Sequence, residues 1–344
     1  MPQLQDHARL LQSYAWANST RATINSEQKI FLEFASKYNV THLPVHGDIL
    51  VTYCTWLVLT GRLSCAGSVK QYLSAVSTLH KMFGFSCDTP KSYGPLNYTV
   101  QGIKRRMAAP ARRMKPITPA ILHNLLHFPT IPPTDPWSVH AFFTTIKSLY
   151  IILFLSMLRS SNLIPASPGL VDHRRQLTWG KITKFQDRGV VFTVTLSKTI
   201  QFAERVHEVA LAAAPGSALC PVAALGRLLD LRGGVACGPD QLVFQVPDGA
   251  GGWKPLTKAV AGKVLGSQIA SMGLDPAYYR FHAFRHGSLN EAVAAEPSLE
   301  LIRVQSDHLS DAIHAYTALP GSRRFGVSKK ILDSVVDQWS AISH

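Results

Sequence analysis

"HAFRHGSLNEAVAAEPSLELIRVQSDHLSDAIHAYTALP", residues 282–320, holds four histidines, Arg285 between the first two of them, and one tyrosine, Tyr316. Imidazole, guanidinium and phenol together offer proton transfer, permanent positive charge and an oxygen nucleophile. Its first residues, H-x-x-R at 282–285, read as the opening of a helix. What such a set serves depends on the rest of the chain.

At 344 residues the chain suits two domains. With 46% apolar and 16% charged residues it is a packed globular protein rather than a disordered one. No run approaches the ~18 consecutive apolar residues of a membrane span, so no membrane is expected among its partners. The start, "MPQLQDHARLLQSYAWANS", lacks the charged-then-apolar pattern of a secretory signal. Cys54, Cys65, Cys87, Cys220 and Cys237 are scattered without CxxC spacing. They read as reduced thiols of an intracellular protein, not as a disulfide frame or zinc site.

The formal charge is +14, with a pI near 9.7. A chain this basic most often meets a polyanion, with nucleic acid the leading candidate; the alternative is a basic surface with no partner. Between Asp88 and Asp135 there is no acidic residue. Inside that gap lies "KRRMAAPARRMKP", carrying Lys104, Arg105, Arg106, Arg112, Arg113 and Lys115. Pro110, Pro116 and Pro119 interrupt helices, so residues 104–116 read as a basic linker between two domains. Beside DNA it would neutralise phosphates and release counterions. A solvated linker or a nuclear-localisation tract is the plainer account, and the two are compatible.

Residues 1–103 read as a helical domain. "STRATINSEQKIFLEFASKY", "GDILVTYCTWLVLTG", "SVKQYLSAVSTLHKMFG" and "NYTVQGIKRRM" predict four helices, with Asp48 a cap for the second and Gly84 a stop for the third. The second domain, 117–344, opens with "VHAFFTTIKSLYIILFLSMLRSSNL", apolar on most faces and so a buried central helix ending at Arg159. The β-branched runs "QLTWGKITKF", "VVFTVTLSKT" and "RVHEVAL" then predict a small antiparallel sheet. Helices resume with "PVAALGRLLDL", "KAVAGKVLGSQIASMG", the opening stretch and "SKKILDSVVDQWSAI". "DGAGGWK" lacks the GK[ST] ending of a phosphate-binding loop and reads as a surface turn. The fold class is therefore mainly α with a small antiparallel β-sheet.

Phosphodiester transfer without a metal needs a nucleophile, cations for the phosphate, an acid and a base. A tyrosine oxygen, with a free pKa of about 10, needs activation, and guanidinium groups bind two oxygens in a fork. Taken singly, each candidate has a plainer reading. Arg159 could be an ion-pair partner, Lys198 a solvated strand residue and Tyr316 a buried aromatic. His282 and His286, at i and i+4, could hold zinc, but no H-E-x-x-H and no third ligand accompany them. Their order along the chain is more specific. Arg159 in "MLRSSNL", Lys198 in "TLSKTIQF", His282 and Arg285 as H-x-x-R, then His308 and Tyr316 resemble the signature of the tyrosine recombinases, also called phage-integrase-type recombinases. The match runs over nearly the whole chain. "LRSSNLIP", "LSKTIQFAERV" and "LCPVAAL" look closest to the recombinases of eukaryotic DIRS/Ngaro-type retrotransposons and cryptons.

The resemblance implies a helical core-binding domain and a catalytic domain that cleave and rejoin double-stranded DNA. Tyr316 would attack the scissile phosphate and form a 3′-phosphotyrosyl link. Arg159 and Arg285 would clamp the non-bridging oxygens, and Lys198 would protonate the departing 5′ oxygen. His282 would act as base and His308 as hydrogen-bond donor. No cofactor, metal or ATP is implied, because the covalent link conserves the bond energy. Strand exchange implies a homo-tetramer on DNA, compatible with a monomer in solution, and the eukaryotic resemblance implies a nuclear location. Two positions depart from the common pattern: Asn162 stands where many members carry an acidic residue, and Phe284 where Leu is common. His308 is the family's common residue, where the retrotransposon branch often has Trp. Phe284 should still pack in the core. The alternative function is a domesticated recombinase homologue that binds DNA without cutting it; a metal-dependent hydrolase is a more distant rival. In the C-terminal segment Ile331, Val335, Trp339 and Ile342, widened by Leu332 and Val336, form an apolar helical stripe. The resemblance implies that this helix docks on a neighbouring subunit; the alternative is packing on its own domain.

Overall fold

Buried aromatic residues organise the first part of the chain. The computed structural model describes residues 2–108, 114–128, 136–185, 188–233, 237–295, 298–307 and 321–342. The chain divides into two units, Met1–Ala111 and Arg112–His344. Among the described residues the first holds five α-helices, α1 (Pro2–Ser13), α2 (Asn18–Tyr38), α3 (Gly47–Leu59), α4 (Val69–Met82) and α5 (Gly94–Arg106). Phe31 and Phe34 on α2 meet Tyr53 and Trp56 on α3, with the Phe34 ring 5.2 Å from Tyr53 and 5.4 Å from Trp56. Leu73 and Val76 of α4 and Leu96 and Val100 of α5 join this core.

Local chemistry closes the helix ends. Asp48 is not the cap of α3: it lies in the first turn and accepts from the Tyr93 hydroxyl. The open Gly47 N–H instead donates to Asp88 Oδ2 at 2.9 Å, so the cap comes from a residue distant in sequence. At the end of α4, Gly84 takes φ +76° and Phe85 N–H returns to His80 O at 2.9 Å, stopping the helix where glycine permits a left-handed turn.

The second unit is built on α7 (Pro136–Ser156). Every residue from Ser148 to Leu158 is buried, so the C-terminal half of this helix has no polar face and sits inside its unit. By length and composition Trp137–Ser156 is apolar enough to cross a membrane. Here it is covered by α6 (Pro119–His127), α8 (Pro221–Asp230) and α10 (Phe281–Ala295). Phe284 stacks on Tyr150 of α7 with centroids 5.1 Å apart, the core role expected of it. Tyr150 in turn donates to Gln268 Oε1 of α9 (Lys258–Ser271) at 2.9 Å.

A three-stranded antiparallel sheet flanks these helices: β1 (Ile182–Phe185), β2 (Gly189–Val194) and β3 (His207–Ala212), in that order. Phe192 pairs with Ile182 on one side and Val209 on the other. The outer edge of β3 is occupied by side chains of α11 (Leu299–Ser306) and α12 (Gly321–Ile342). Gln305 donates to Ala210 O at 2.7 Å, and Ser328 Oγ accepts from Ala212 N at 2.7 Å. A second hairpin pairs β4 (Gln245–Pro247) with β5 (Trp253–Pro255). The glycine cluster forms its turn, with Asp248 Oδ1 accepting from Ala250 N and Gly252 N.

The C-terminal helix packs on its own unit. Ile331, Leu332 and Val335 of α12 are buried there, and Trp339 packs on His123 and His127 of α6 at 4.2 and 5.2 Å, while Ile342 at the end of the stripe is exposed. The stripe finds β3, α6 and α10 of the same chain, so those apolar surfaces are satisfied locally. Ile331→Ala is therefore expected to destabilise the folded protein by about 2–5 kcal/mol, the cost of emptying a core position. Chemical denaturation measures this, and a loss below about 0.5 kcal/mol, the size of an ordinary surface substitution, would show that the helix is not anchored here. Truncation after Phe325 should give insoluble protein rather than a binding-competent one.

Candidate functional site

Where α7 ends, Met157 adopts φ +54° and the chain turns into extended backbone at Arg159. Arg159 therefore lies three residues beyond the helix, not on it, at the entry of a single 3₁₀ turn, Ser160–Asn162. Its side chain is 26% exposed. Arg285, one turn into α10, is 3% exposed and ties two segments together: Nη1 donates to Met157 O and Nη2 to Ser306 O, each at 2.5 Å. Burial, reinforced by the Arg159 charge and opposed by Asp307, lowers the Arg285 pKa to about 10, so it remains cationic at neutral pH.

Close backbone contact holds α10 in place. Ile117 N donates to Ala283 O at 2.9 Å, and a Cβ built on Gly287 would lie 1.8 Å from Ile117 O. Only glycine allows the segment around Ile117 to lie so tightly on the helix that carries His282 and Arg285.

His282 is exposed in the first turn of α10, with its ring 4.6 Å from that of His286. Partial desolvation of the ring, then the His286, Arg285 and Arg159 charges, hold its pKa below 6.5. The imidazole is thus neutral at pH 7 and able to accept a proton. Because the folded-state value is depressed, the ring is half-protonated only at a pH below its ordinary 6.5. Any activity that uses His282 as base should be flat above that pH and fall beneath it, and a rate profile from pH 5 to 8 checks this. No group of three His, Cys, Asp or Glu side chains suited to a metal occurs among the described residues.

Arg159, Lys258, Arg280, His282 and Arg285 line one cleft of about 660 Å³. Among the described residues no carboxylate lines it, so its field favours an anion. Lys198 is exposed, four residues past the end of β2 rather than on the strand, in the β2–β3 connection. Asn162 is buried and donates through Nδ2 to Leu196 O at 2.8 Å, which fastens that connection to the Arg159 turn. His308 and Tyr316 lie outside the described residues.

The basic segment is not a uniform linker. Lys104, Arg105 and Arg106 form the last turn of α5, with positive charge at the helix C-terminus where the dipole favours it. Lys115 is exposed and belongs to the second unit: its N–H donates to Tyr278 O at 3.0 Å, and its ammonium lies 5.4 Å from the Tyr278 ring centre. Arg112 and Arg113 lie outside the described residues.

Sequence reasoning did not single out Thr199, Arg205 or Asp307. Asp307, at the C-cap of α11 with φ +55°, accepts from Thr199 Oγ1 and, at 2.5 Å, from Arg205 Nη2. Burial would raise its pKa, but the Thr199 and Arg205 hydrogen bonds and the His207 and Arg205 charges outweigh that and hold it low. The only signal in the sequence was the missing acid at Asn162. Nothing there indicated where a carboxylate would come from instead.

No family model and no curated protein sequence matches the chain. Solved structures do match. XerH site-specific recombinase bound to difH substrate, in a pre-cleavage complex, aligns with TM-score 0.56 at 15% identity, over 94% of this chain and 79% of that one. The XerH post-cleavage complex with a palindromic difH substrate aligns with TM-score 0.56 at 17% identity, over 93% and 79%. The Tn1549 transposon integrase in complex with transposon right end DNA aligns with TM-score 0.56 at 13% identity, over 99% of both chains. At these identities the likeness establishes architecture, and it spans both units: the chain has the fold of the tyrosine recombinases and integrases.

Proposed function

We propose that this protein is a site-specific DNA recombinase that cleaves and rejoins double-stranded DNA through a 3′-phosphotyrosyl intermediate on Tyr316. The observation that carries the reading is the anion-favouring cleft where Arg159, Arg285 and a neutral His282 converge. Two guanidiniums are suited to the non-bridging oxygens of one phosphate, and the imidazole to the proton of an attacking hydroxyl. Lys198 would protonate the leaving 5′ oxygen and His308 would donate to the phosphate. The "LRSSNLIP" and "LSKTIQFAERV" segments favour a mobile element of the DIRS/Ngaro or crypton kind as its source, and with it a nuclear location. Assembly as a homo-tetramer on DNA follows from the chemistry of exchanging strands between two duplexes.

Relaxation of supercoiled plasmid in EDTA without ATP tests the reading. Closed, relaxed circles are expected, because the phosphotyrosyl bond is resealed by the freed 5′ hydroxyl. Open nicks that form only with added metal would contradict it. Failure to relax, with DNA binding intact, would favour a homologue that holds DNA without cutting it.

The basic segment should bind the DNA backbone. Neutralising Arg105, Arg106, Arg112 and Arg113 together is expected to weaken binding to all sequences. It should also reduce the log–log salt slope by roughly 3.6, at about 0.9 per phosphate contact. Filter binding across a salt series measures this, and an unchanged slope would show that these residues do not face DNA.

A further inference from the structure

Asp307 is 5% exposed, stands immediately before His308 and holds together several parts of the cleft. Its carboxylate receives Arg205 Nη2 at 2.5 Å, the Thr199 hydroxyl and, at 3.4 Å, the Ser197 hydroxyl. Ser197 and Thr199 flank Lys198. Arg159 Nη1 lies 3.8 Å from Asp307 Oδ2 and 3.4 Å from Thr199 Oγ1. One buried carboxylate thus reaches the Arg159 guanidinium, the loop that carries Lys198 and the backbone that enters His308.

The usual position for an acid cannot take this part. Asn162 uses its amide on Leu196 O, and a carboxylate there would face a carbonyl oxygen and be repelled. Asp307 also pairs more closely with Arg205 than with Arg159. That division fixes Arg159 in direction while leaving its charge less compensated, which a phosphate clamp requires.

We propose that Asp307 is the positioning residue of this site, orienting Arg159 and the Lys198 loop from the end of α11 in place of an acid at Asn162. The proposal rests on the recombinase reading. Simple charge counting makes the opposite prediction: removing a carboxylate beside the arginines should strengthen the grip on a phosphate and speed cleavage.

The test compares wild type, Asp307→Asn and Thr199→Val in single-turnover adduct formation on a nicked DNA substrate. Asn tolerates the left-handed backbone, so Asp307→Asn keeps the cap while losing the charge. Thr199 is only half-buried, so Thr199→Val cuts the same tie without leaving a buried arginine unpaired. Both variants are expected to bind DNA as tightly as wild type or tighter. Asp307→Asn should form adduct about a hundredfold more slowly, the effect of a misplaced reacting group, and Thr199→Val about tenfold more slowly. A second substrate carries a methylphosphonate at the scissile position, where one charged oxygen is replaced by methyl. With less charge to clamp, the difference between wild type and variants should shrink there, whereas a general folding defect would slow both substrates alike. Wild-type rates in both variants, or equal losses on the two substrates, overturn the proposal. A wild-type protein that forms no adduct on either substrate overturns the recombinase reading, and the proposal falls with it.

Discussion

Tyr316→Phe should eliminate covalent protein–DNA adducts while leaving the fold and DNA affinity intact. The change removes one oxygen and almost no volume, so packing is preserved and only the nucleophile is lost. No other residue in the reactive set can give the same link: attack by a histidine or lysine nitrogen would leave an acid-labile phosphoramidate instead of a stable phosphotyrosine. Denaturing gels with a nicked substrate read the outcome directly. An adduct that persists in this variant would remove Tyr316 from the mechanism.

The arginine pair should separate rate from stability. Arg159→Lys and Arg285→Lys keep a positive charge but lose the forked geometry, and cleavage should fall at least about a hundredfold, as for loss of one transition-state donor. The two substitutions differ in a second respect. Arg159 is partly exposed, and its replacement should leave the melting temperature near wild type. Arg285 joins Met157 O to Ser306 O from a buried position, a link a single ammonium cannot reproduce. Arg285→Lys should therefore also destabilise the protein, by about 1–3 kcal/mol for unsatisfied buried groups. Normal cleavage in both variants would make these arginines structural.

The fold was legible where the pattern is local. The periodic runs became α2 to α5, the continuous apolar run became α7, and the β-branched runs became β1, β2 and β3. Less visible were α1, whose exposed Leu4, Leu10 and Leu11 give it no packing signal, and the nine-residue α6, too short to show a period. Residues 104–106 read as linker because of Pro110, yet a proline four residues ahead does not prevent the last turn of α5. At the site, order along the chain nominated Arg159, His282 and Arg285, and the structure places all three on one cleft. What holds them was not legible. The Asp307–Arg205 and Asp307–Thr199 contacts join residues more than one hundred positions apart, and no spacing rule encodes such a pair. The cis packing of α12 was likewise hidden, because an apolar stripe specifies that it must be covered and not by which chain.

The chemical identity of the protein–DNA link distinguishes a tyrosine recombinase from every other way of cutting DNA. Wild-type protein is reacted with a nicked substrate in EDTA, the complex is digested, and the peptide bearing the nucleotide is sequenced by mass spectrometry. A single modified residue is expected, Tyr316, joined to the 3′ phosphate, with a free 5′ hydroxyl on the other strand end. A nucleotide on any other residue, a link to the 5′ phosphate, or cleavage that appears only with metal and leaves no protein attached would contradict it.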